Sequence, residues 1–549
     1  MHPHQALPRL ALAFAFSLGL CSPLTSPAER GSDCHFDYII VGGGNAGLTL
    51  ASRLSESSTV RVAIIEAGTF YERVTGNESI IPGNGGLYEG KAANITNPLV
   101  EWEFMTTPQA GLNNQSVHYP RGKTKSIDFT PPDMSTRFAN STPGYDPAVL
   151  ASGGHLSLTH PNYAQPFKRK AYGLVLVVHT IDQASGKRAS SETAFLRPFL
   201  GRENLVVFDQ TMAERILFKR NVARGVTVSD MSNNRTFDLF ARREVIISAG
   251  AFQSTQLLMV SGVGPAGLLS EHGIHLVANR PGVGQNMHDH VLFEVAYEVN
   301  VETAYALRDP NAAAEAATIY HEDQAGPLSN SGGNYAAFER LPLDFRGGLS
   351  AETEQAIASL PSDWPEVQYG LFPAYAGNFY NPYIGGPTEG NYATLLAILM
   401  SPQSRGNISI PSPNMRDSPL INPALLTHPA DLELAVAAFK RLRSIFRAPA
   451  LEGVLIGDEY YPRSNVTTDE QIIGHLRDAA YTMSPAAGTC KMGVEEDETA
   501  VVDSVGRMFG TRNLRVADAS AFPFLPPNVP QSIVYMPAEK IADDIKGTW

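Results

Sequence analysis

Residues 36–68, with the sequence FDYIIVGGGNAGLTLASRLSESSTVRVAIIEAG, decide the fold of this chain. The short apolar run at 38–41 is typical of a buried parallel strand, and 62–65 has the same character. Apolar residues at helical spacing lie between these two runs, over 48–54. The turn before the helix carries three glycines at the G-x-G-x-x-G spacing: Gly42, Gly44 and Gly47. The stretch therefore predicts a strand, a glycine turn, a helix and a second strand. Further along the chain, the pattern predicts two separate strands at 235–241 and 243–248.

This glycine spacing is the one that binds the diphosphate of a dinucleotide. Gly42 permits a tight turn, Gly44 lets the backbone approach a pyrophosphate, and Gly47 lets helix and strand pack closely. The helix N-terminus then offers unpaired N–H groups and the positive end of its dipole to the phosphates. Glu66 lies where an acidic residue accepts hydrogen bonds from the adenosine ribose. We expect a dinucleotide-binding unit, with a glycine-rich loop of an unrelated α/β protein as the alternative.

The composition is that of a globular protein with more than one large core. The chain has 549 residues, of which 43% are hydrophobic and 18% charged, and its net charge is −13. This acidic balance argues against nucleic acid and anionic membranes as partners. It leaves a small-molecule substrate open and does not determine the oligomeric state.

The first 26 residues are typical of a secretory signal peptide. Arg9 precedes an apolar run at 10–20, and cleavage is expected between Cys21 and Ser26. The run is too short for a stable membrane span, and a short anchor is the alternative. Sequons support a secreted or lumenal glycoprotein. Seven asparagines are candidate glycosylation sites: Asn77, Asn94, Asn114, Asn140, Asn234, Asn407 and Asn465.

Segments spread over most of the chain resemble the glucose–methanol–choline family of FAD-dependent oxidoreductases, in particular its fungal secreted, secondary-metabolite branch. In the family's order they are 37–68, HYPRGKT at 118–124, GAFQSTQLLMVSGVGP at 250–265, PGVGQNMHDH at 281–290, GTCKMG at 488–493, and 514–545. Thr255 stands where a proline is usual. The resemblance implies FAD as cofactor and hydride transfer from an alcohol to flavin N5. The expected substrate is an aromatic or polyketide-derived secondary metabolite.

The resemblance also implies the fold class, which is α/β with an α+β substrate domain. A Rossmann-like FAD-binding domain would be joined to a substrate domain built on an antiparallel sheet. The expected boundaries are a signal peptide at 1–26, FAD-binding parts at 34–124, 176–291 and 466–549, an irregular, truncated segment at 125–175, and the substrate domain at 292–465.

By position in the family motifs, the resemblance implies FAD contacts in several segments. Asn45 and Ala46 would touch the pyrophosphate, as would the glycine turn. Glu66 and Ala67 would hold the ribose, and Val207 would lie near the adenine through its backbone. The residues expected along the flavin ring are Ala519, Pro530 and Gln531.

The catalytic positions depart from the family pattern. The histidine expected three residues before Gly488 is Pro485, and the partner histidine or asparagine before the P-Q pair is Val529. A shift of one residue brings Ser484 or Asn528 into question, so the catalytic residues stay unassigned. General-base catalysis is typically worth roughly 10²–10⁴-fold, and neither proline nor valine can supply it.

A flavin-contacting loop of the family is also absent after Thr124, and a second piece is missing near 166–173. A natural deletion and a wrong intron boundary both explain this. The alternatives to an alcohol oxidase or dehydrogenase are therefore a non-redox cyclase or dehydratase on the same fold, and an inactive or misspliced family member.

His288 and His290 flank Asp289, a spacing that suggests a metal site. No motif supplies further ligands, so we expect no metal and interpret the loop as structural and close to the cofactor. Cys490 is expected to be a small buried packing residue.

Overall fold

The computed structural model describes residues 34–76, 78–86, 90–91, 96–123, 173–176, 181–182, 185–329, 332–333, 335–379, 386–527 and 530–548. Several predictions fall outside these residues and concern the signal peptide, most of 125–175, Asn77, Asn94, Asn140, Asn528 and Val529.

A seven-stranded sheet carries the glycine-turn unit. Its order is Leu205–Phe208, Val62–Ile65, His35–Val41, Arg235–Ile247, Val222–Asp230 and Thr211–Lys219, and Leu514–Val516 also pairs with Arg235–Ile247. The strand His35–Val41 is buried on both faces, because its side chains alternate between two hydrophobic cores. Ile40 packs with Leu48 and Ile541 on one face, whereas Ile39 packs with Leu258 on the other.

One long strand, Arg235–Ile247, replaces two strands that the sequence pattern predicts at 235–241 and 243–248. Its first half pairs antiparallel with Val222–Asp230, and its second half pairs parallel with His35–Val41. The prediction of two strands was wrong because each half has its own partner strand, so the backbone stays extended between them.

A second sheet of seven strands is antiparallel throughout and forms the substrate domain. Its order is Leu455–Tyr461, Val291–Val299, Asn391–Leu399, Val367–Phe372, Tyr335–Glu339 and Gly173–Leu176, and Tyr481–Thr482 also pairs with Val291–Val299. The first and last of these in chain order, Gly173–Leu176 and Tyr481–Thr482, come from outside the expected limits of 292–465. The chain therefore returns to this sheet from both neighbouring segments.

Helices cover both sheets. Phe439, in the middle of the longest of them, contacts Phe293 on the second sheet with ring centroids 6.5 Å apart. The helices of the described residues are Asn45–Leu54, Tyr71–Thr75, Ser191–Phe195, Gly250–Val260, Ala266–Glu271, Pro310–Asp323, Ala351–Ala358, Pro429–Phe446, Asp469–Ala479 and Gln531–Lys546. None of these has the length and hydropathy needed to cross a bilayer.

A buried arginine joins the first sheet to the last helix. Arg515 is 2% exposed and donates hydrogen bonds to Glu244 at 2.7 Å and to Asp544 at 2.8 Å. It also donates to the carbonyl oxygen of Val505 at 2.9 Å. Removing this buried cation takes the ion-pair partner from Glu244 and leaves Asp544 paired with the exposed Arg507.

We expect Arg515→Ala to lower the free energy of unfolding by about 3 kcal/mol, because it breaks a buried ion pair. Arg507→Ala is the matched control, since Arg507 also pairs with Asp544 but is 52% exposed. The control is expected to cost less than about 1 kcal/mol. Denaturant unfolding followed by fluorescence measures both, and equal losses from the two variants contradict the assignment.

Candidate functional site

The glycine turn is so tightly packed that it excludes side chains at two of its three positions. Gly42 has a φ of +108°, and a Cβ there would lie 2.3 Å from the carbonyl oxygen of Ser248. A Cβ on Gly47 would lie 2.0 Å from the carbonyl oxygen of Gly42. At Gly44, by contrast, an added Cβ meets no atom within 4 Å. Gly44 is therefore not needed for packing, and the space beside it can take a ligand group against the backbone.

The helix that follows this turn presents its N-terminus to the same space. Helix Asn45–Leu54 begins after Gly44, and this N-cap residue, a glycine, has no side chain that could cap the first N–H groups. The side-chain oxygen of Asn45 accepts a hydrogen bond from the Tyr535 hydroxyl at 3.1 Å, which holds it toward the last helix. Uncapped N–H groups and the helix dipole together favour an anion here.

Glu66 closes the turn from the neighbouring strand. Its carboxylate is 9% exposed and accepts hydrogen bonds from the N–H groups of Gly43 and Gly68, both at 2.7 Å. An ionised carboxylate is an acceptor with about four lone-pair sites, which is the chemistry that ribose hydroxyls require. Val207 lies on the adjacent strand, opposite Ile64 and so two positions before this acid, and its contact with the adenine stays a prediction.

A second unit of strand, turn and helix, made of Arg235–Ile247 and Gly250–Val260, contacts the C-terminal segment at Asp518. One carboxylate oxygen accepts from the N–H of Gly250 at 2.9 Å and from the Ser254 hydroxyl at 2.5 Å. The other accepts from the N–H and hydroxyl of Ser520, at 2.8 and 2.5 Å. Asp518 therefore fixes the segment that carries Ala519 against the helix Gly250–Val260.

The G-T-C stretch packs against the same segment. Gly488 donates its N–H to the carbonyl oxygen of Ala519 at 3.0 Å, and Cys490 donates to that of Ser520 at 2.7 Å. Cys490 is a free, buried thiol, and burial raises its pKa to about 12. It packs in the core, as the sequence predicts, and it stays protonated.

The glycine turn, Glu66 and Ala519 lie at one edge of the first sheet, because each follows the carboxyl end of a parallel strand. Pro530 and Gln531 lie at the start of the last helix, after the Asp518 segment. The free space at Gly44, the uncapped helix and the acid on the next strand fit the adenosine diphosphate half of FAD. The individual contacts with FAD stay a prediction.

Gly44→Ala is expected to weaken FAD binding by at least about tenfold, because its Cβ occupies the space through which the backbone approaches the pyrophosphate. The apoprotein should keep its melting temperature, since the new Cβ meets no protein atom within 4 Å and Gly44 has an ordinary φ of −82°. Titration of apoprotein with FAD, followed by flavin fluorescence, measures the affinity. Unchanged affinity contradicts the placement of the diphosphate, and Gly47→Ala, which clashes with backbone, serves as the misfolding control.

The backbone around Pro485, the position where the resemblance implies a catalytic histidine, is irregular. Backbone bridges pair His288 with Ala487 and Val291 with Thr482. Between these bridges, residues 289–290 face residues 483–486, so the longer side forms a bulge, here called the 483–486 bulge. Ser484 lies in it with a φ of +65°, and half-buried Pro485 follows.

A buried carboxyl group lies beneath the 483–486 bulge. The Thr482 hydroxyl donates to Asp289 at 2.6 Å and accepts the N–H of Ser484 at 2.7 Å. Burial raises the pKa of Asp289 to about 7, although Thr482, Tyr119 and the positive charge of Arg121 each act to lower it. The sequence gives no signal for this arrangement, because Thr482 is 193 residues away from Asp289 along the chain.

The two histidines beside Asp289 have separate surroundings. The Nδ1 atom of His290 lies 2.9 Å from the Leu399 carbonyl oxygen of the substrate domain, and its Nε2 atom lies 3.3 Å from that of Pro526. Burial lowers the pKa of His288 to about 3, so this imidazole is neutral. Among the described residues, no group of three or more His, Cys, Asp or Glu side chains could hold a metal ion.

Asp289→Asn is expected to change how stability depends on pH. Between pH 4 and 7 the folded protein keeps Asp289 protonated while the unfolded chain has ionised it, so wild-type stability falls as pH rises. Asparagine cannot ionise. The free energy of unfolding of the variant therefore rises relative to that of wild type across this window, by at most about 4 kcal/mol.

Melting temperatures of both proteins at intervals from pH 4 to pH 8 measure this difference. The exposed Asp497→Asn variant is the control and should show no such gain. A difference between Asp289→Asn and wild type that is constant over this range contradicts a raised pKa.

Comparison with known proteins shows the family. Two family models described as GMC oxidoreductase match residues 143–292 and 402–538. A glucose–methanol–choline family oxidoreductase named mfmG, from Annulohypoxylon moriforme, is 41% identical and covers 96% of each chain. Patulin synthase from Aspergillus clavatus is 44% identical over 93% of this chain and 92% of its own length.

Solved structures share the fold. Formate oxidase superposes with a TM-score of 0.80 at 24% identity, covering 94% of this chain and 98% of its own. An FAD-dependent oxidoreductase from Chaetomium thermophilum superposes with a TM-score of 0.74, also at 24% identity, over 93% of this chain and 99% of its own.

The chain is shorter than its relative within the aligned region. The alignment with mfmG runs over 590 positions, whereas 96% of this chain is about 527 residues, so about 60 positions of the relative have no counterpart here. This difference supports the missing pieces expected after Thr124 and near 166–173, whose location stays a prediction.

Proposed function

Because this chain belongs to the glucose–methanol–choline (GMC) oxidoreductase family, we propose that it oxidises the CH–OH group of an aromatic or polyketide-derived secondary metabolite. It is an FAD-dependent oxidoreductase, and FAD supplies the acceptor for the hydride. The observation that carries the proposal is the arrangement at the edge of the first sheet, where Gly44, Glu66 and the segment after Asp518 lie together. The names of fungal relatives, which include patulin synthase, an oxidoreductase and dehydrogenases, support a secondary metabolite as substrate.

The residues of this chain divide the work between binding and orientation. The glycine turn and its helix would hold the diphosphate, and Glu66 would orient the ribose. The segment after Asp518 would hold the flavin, and the G-T-C stretch fixes this segment through hydrogen bonds to Ala519 and Ser520. Pro485 has no proton acceptor in its side chain, so the hydroxyl proton of the substrate leaves by another group.

We also infer that the protein enters the secretory pathway and carries N-glycans. The signal-peptide pattern at 1–26 and the sequons support this. Among the described sequons, Asn114, Asn234 and Asn465 are exposed, whereas Asn407 is half-buried in the strand Asn407–Ser409. Glycans are therefore expected at the three exposed asparagines, and removal with an endoglycosidase should reduce the mass of the secreted protein.

The test of the main proposal uses protein loaded with FAD and kept free of oxygen. Aromatic alcohols and hydroxylated polyketides are added in turn, and the visible absorbance of the flavin is recorded. Loss of the oxidised-flavin band together with formation of the carbonyl product supports the proposal. Product that forms while the band stays unchanged contradicts it and assigns a non-redox reaction.

Pro485→His is expected to increase the rate of flavin reduction by roughly 10²-fold, because an imidazole at this position can take the hydroxyl proton. Pro485→Ala is the matched control, since it removes the ring without adding a base and should leave the rate within about threefold. Anaerobic stopped-flow measurement gives both rates. An equal gain in the two variants assigns the effect to the loss of proline.

A further inference from the structure

We propose that Asp289 is a positioning residue, which acts through Thr482 to hold Ser484 in its left-handed conformation and so fixes the 483–486 bulge. This inference deepens the proposed function and rests on it, because the bulge carries the position where the family has its catalytic histidine. The proposal follows from two hydrogen bonds and from the burial of the groups that make them.

The first step is the backbone strain at Ser484. A φ of +65° is uncommon for a residue with a side chain and is energetically unfavourable. The N–H of Ser484 donates to the Thr482 hydroxyl at 2.7 Å, which is the contact that offsets this cost. The left-handed conformation therefore depends on an acceptor at the position of the Thr482 oxygen.

The second step is the direction of the Thr482 hydroxyl. A hydroxyl has one proton, and here it donates to Asp289 at 2.6 Å. This bond turns the oxygen lone pairs toward Ser484, so that the same atom can accept the N–H. Without an acceptor at residue 289 the hydroxyl is free to rotate and no longer favours the bend at Ser484.

The third step is the enclosure of the pair. Thr482 is 1% exposed, Asp289 is 4% exposed, and the neighbouring Tyr119 is fully buried. The second carboxyl oxygen of Asp289 and the Tyr119 hydroxyl are buried as well. Since water does not compete in so closed a site, the bond from Thr482 is worth more than on a surface.

The groups that face Asp289 determine how it responds to pH. Arg121 lies over the rings of Tyr119 and Phe252, at 5.2 and 5.0 Å, and its positive charge favours the ionised carboxylate. The backbone N–H of His290 and the hydroxyls of Thr482 and Tyr119 act in the same direction, and burial opposes them all. An ionised carboxylate is the stronger acceptor, so the bulge becomes better fixed as pH rises through about 7.

A short stretch of chain connects the 483–486 bulge to a hydrogen bond with the segment that carries Ala519. Gly488, which follows the bulge by two residues, donates its N–H to Ala519, the residue expected along the flavin ring. A change in the bulge therefore alters the surroundings of the flavin, and the oxidised-flavin spectrum reports it without any substrate.

The experiment compares Thr482→Val, Thr482→Ser and Asp289→Asn with wild type, all loaded with FAD. Valine keeps the shape and removes the hydroxyl, whereas serine keeps the hydroxyl and is the matched control. The visible spectrum of each protein is titrated from pH 5 to pH 9, and melting temperatures identify any variant that does not fold. Where a substrate reduces the flavin, kcat and KM are measured over the same range.

Wild type and Thr482→Ser are expected to show a one-proton change of the flavin spectrum near pH 7, which is absent from Thr482→Val and Asp289→Asn. Thr482→Val should also lose at least about tenfold in kcat with little change in KM, whereas Asp289→Asn, whose amide oxygen still accepts from Thr482, should lose less. A spectral step that persists in folded Thr482→Val overturns the proposal. If Thr482→Val does not fold, Thr482→Ala, which also removes the hydroxyl, gives the same decision against Thr482→Ser.

This design separates the positioning role from the proposed function. If no metabolite reduces the flavin in wild type, the proposed reaction fails while the spectral titration still decides the role of Asp289. If metabolites reduce the flavin equally fast in all four proteins, the positioning role fails and the oxidoreductase stands.

Discussion

Parallel pairing of three strands is the constraint on which the rest of this structure depends. His35–Val41 pairs with Val62–Ile65 on one side and with Arg235–Ile247 on the other, so all three strands end at the same edge. The chain must turn there within a space already filled by the Ser248 carbonyl oxygen, which only a glycine at position 42 allows. The same edge collects uncapped backbone N–H groups and the carboxylate of Glu66, and this is the chemistry that a dinucleotide needs.

How far the sequence predicts the fold depends on whether the pairing is local. The unit at 36–68 could be predicted within a few residues, because its strands, turn and helix follow one another and each has a distinct spacing. The strand Gly173–Leu176 pairs with Tyr335–Glu339, far along the chain, and nothing in its own pattern indicates that partner. The continuity of Arg235–Ile247 was missed for the same reason, since it depends on two partner strands rather than on the residues between its halves.

How far the sequence predicts the candidate site also depends on whether the residues concerned are close together along the chain. The glycine turn and Glu66, which would hold the adenosine diphosphate, could be located from the sequence because each stands in a local motif. Asp289 was noticed only for the histidines beside it, which suggested a metal, whereas its actual partner is a threonine from the distant G-T-C region. Burial and the αL conformation of Ser484 cannot be seen in a sequence, and these are the two properties that give the pair its importance.

The absence of a histidine at residue 485 does not by itself make this an inactive family member. A buried carboxyl group with a raised pKa lowers stability at neutral pH, and a left-handed serine lowers it further. Both features lie together beneath the family's catalytic position, and costs of this kind concentrate where a protein uses them. A chain that had lost its chemistry would be more stable with asparagine at 289 and glycine at 484. The arrangement therefore favours a site that still positions a substrate against the flavin, with the proton leaving by a route other than the side chain of residue 485.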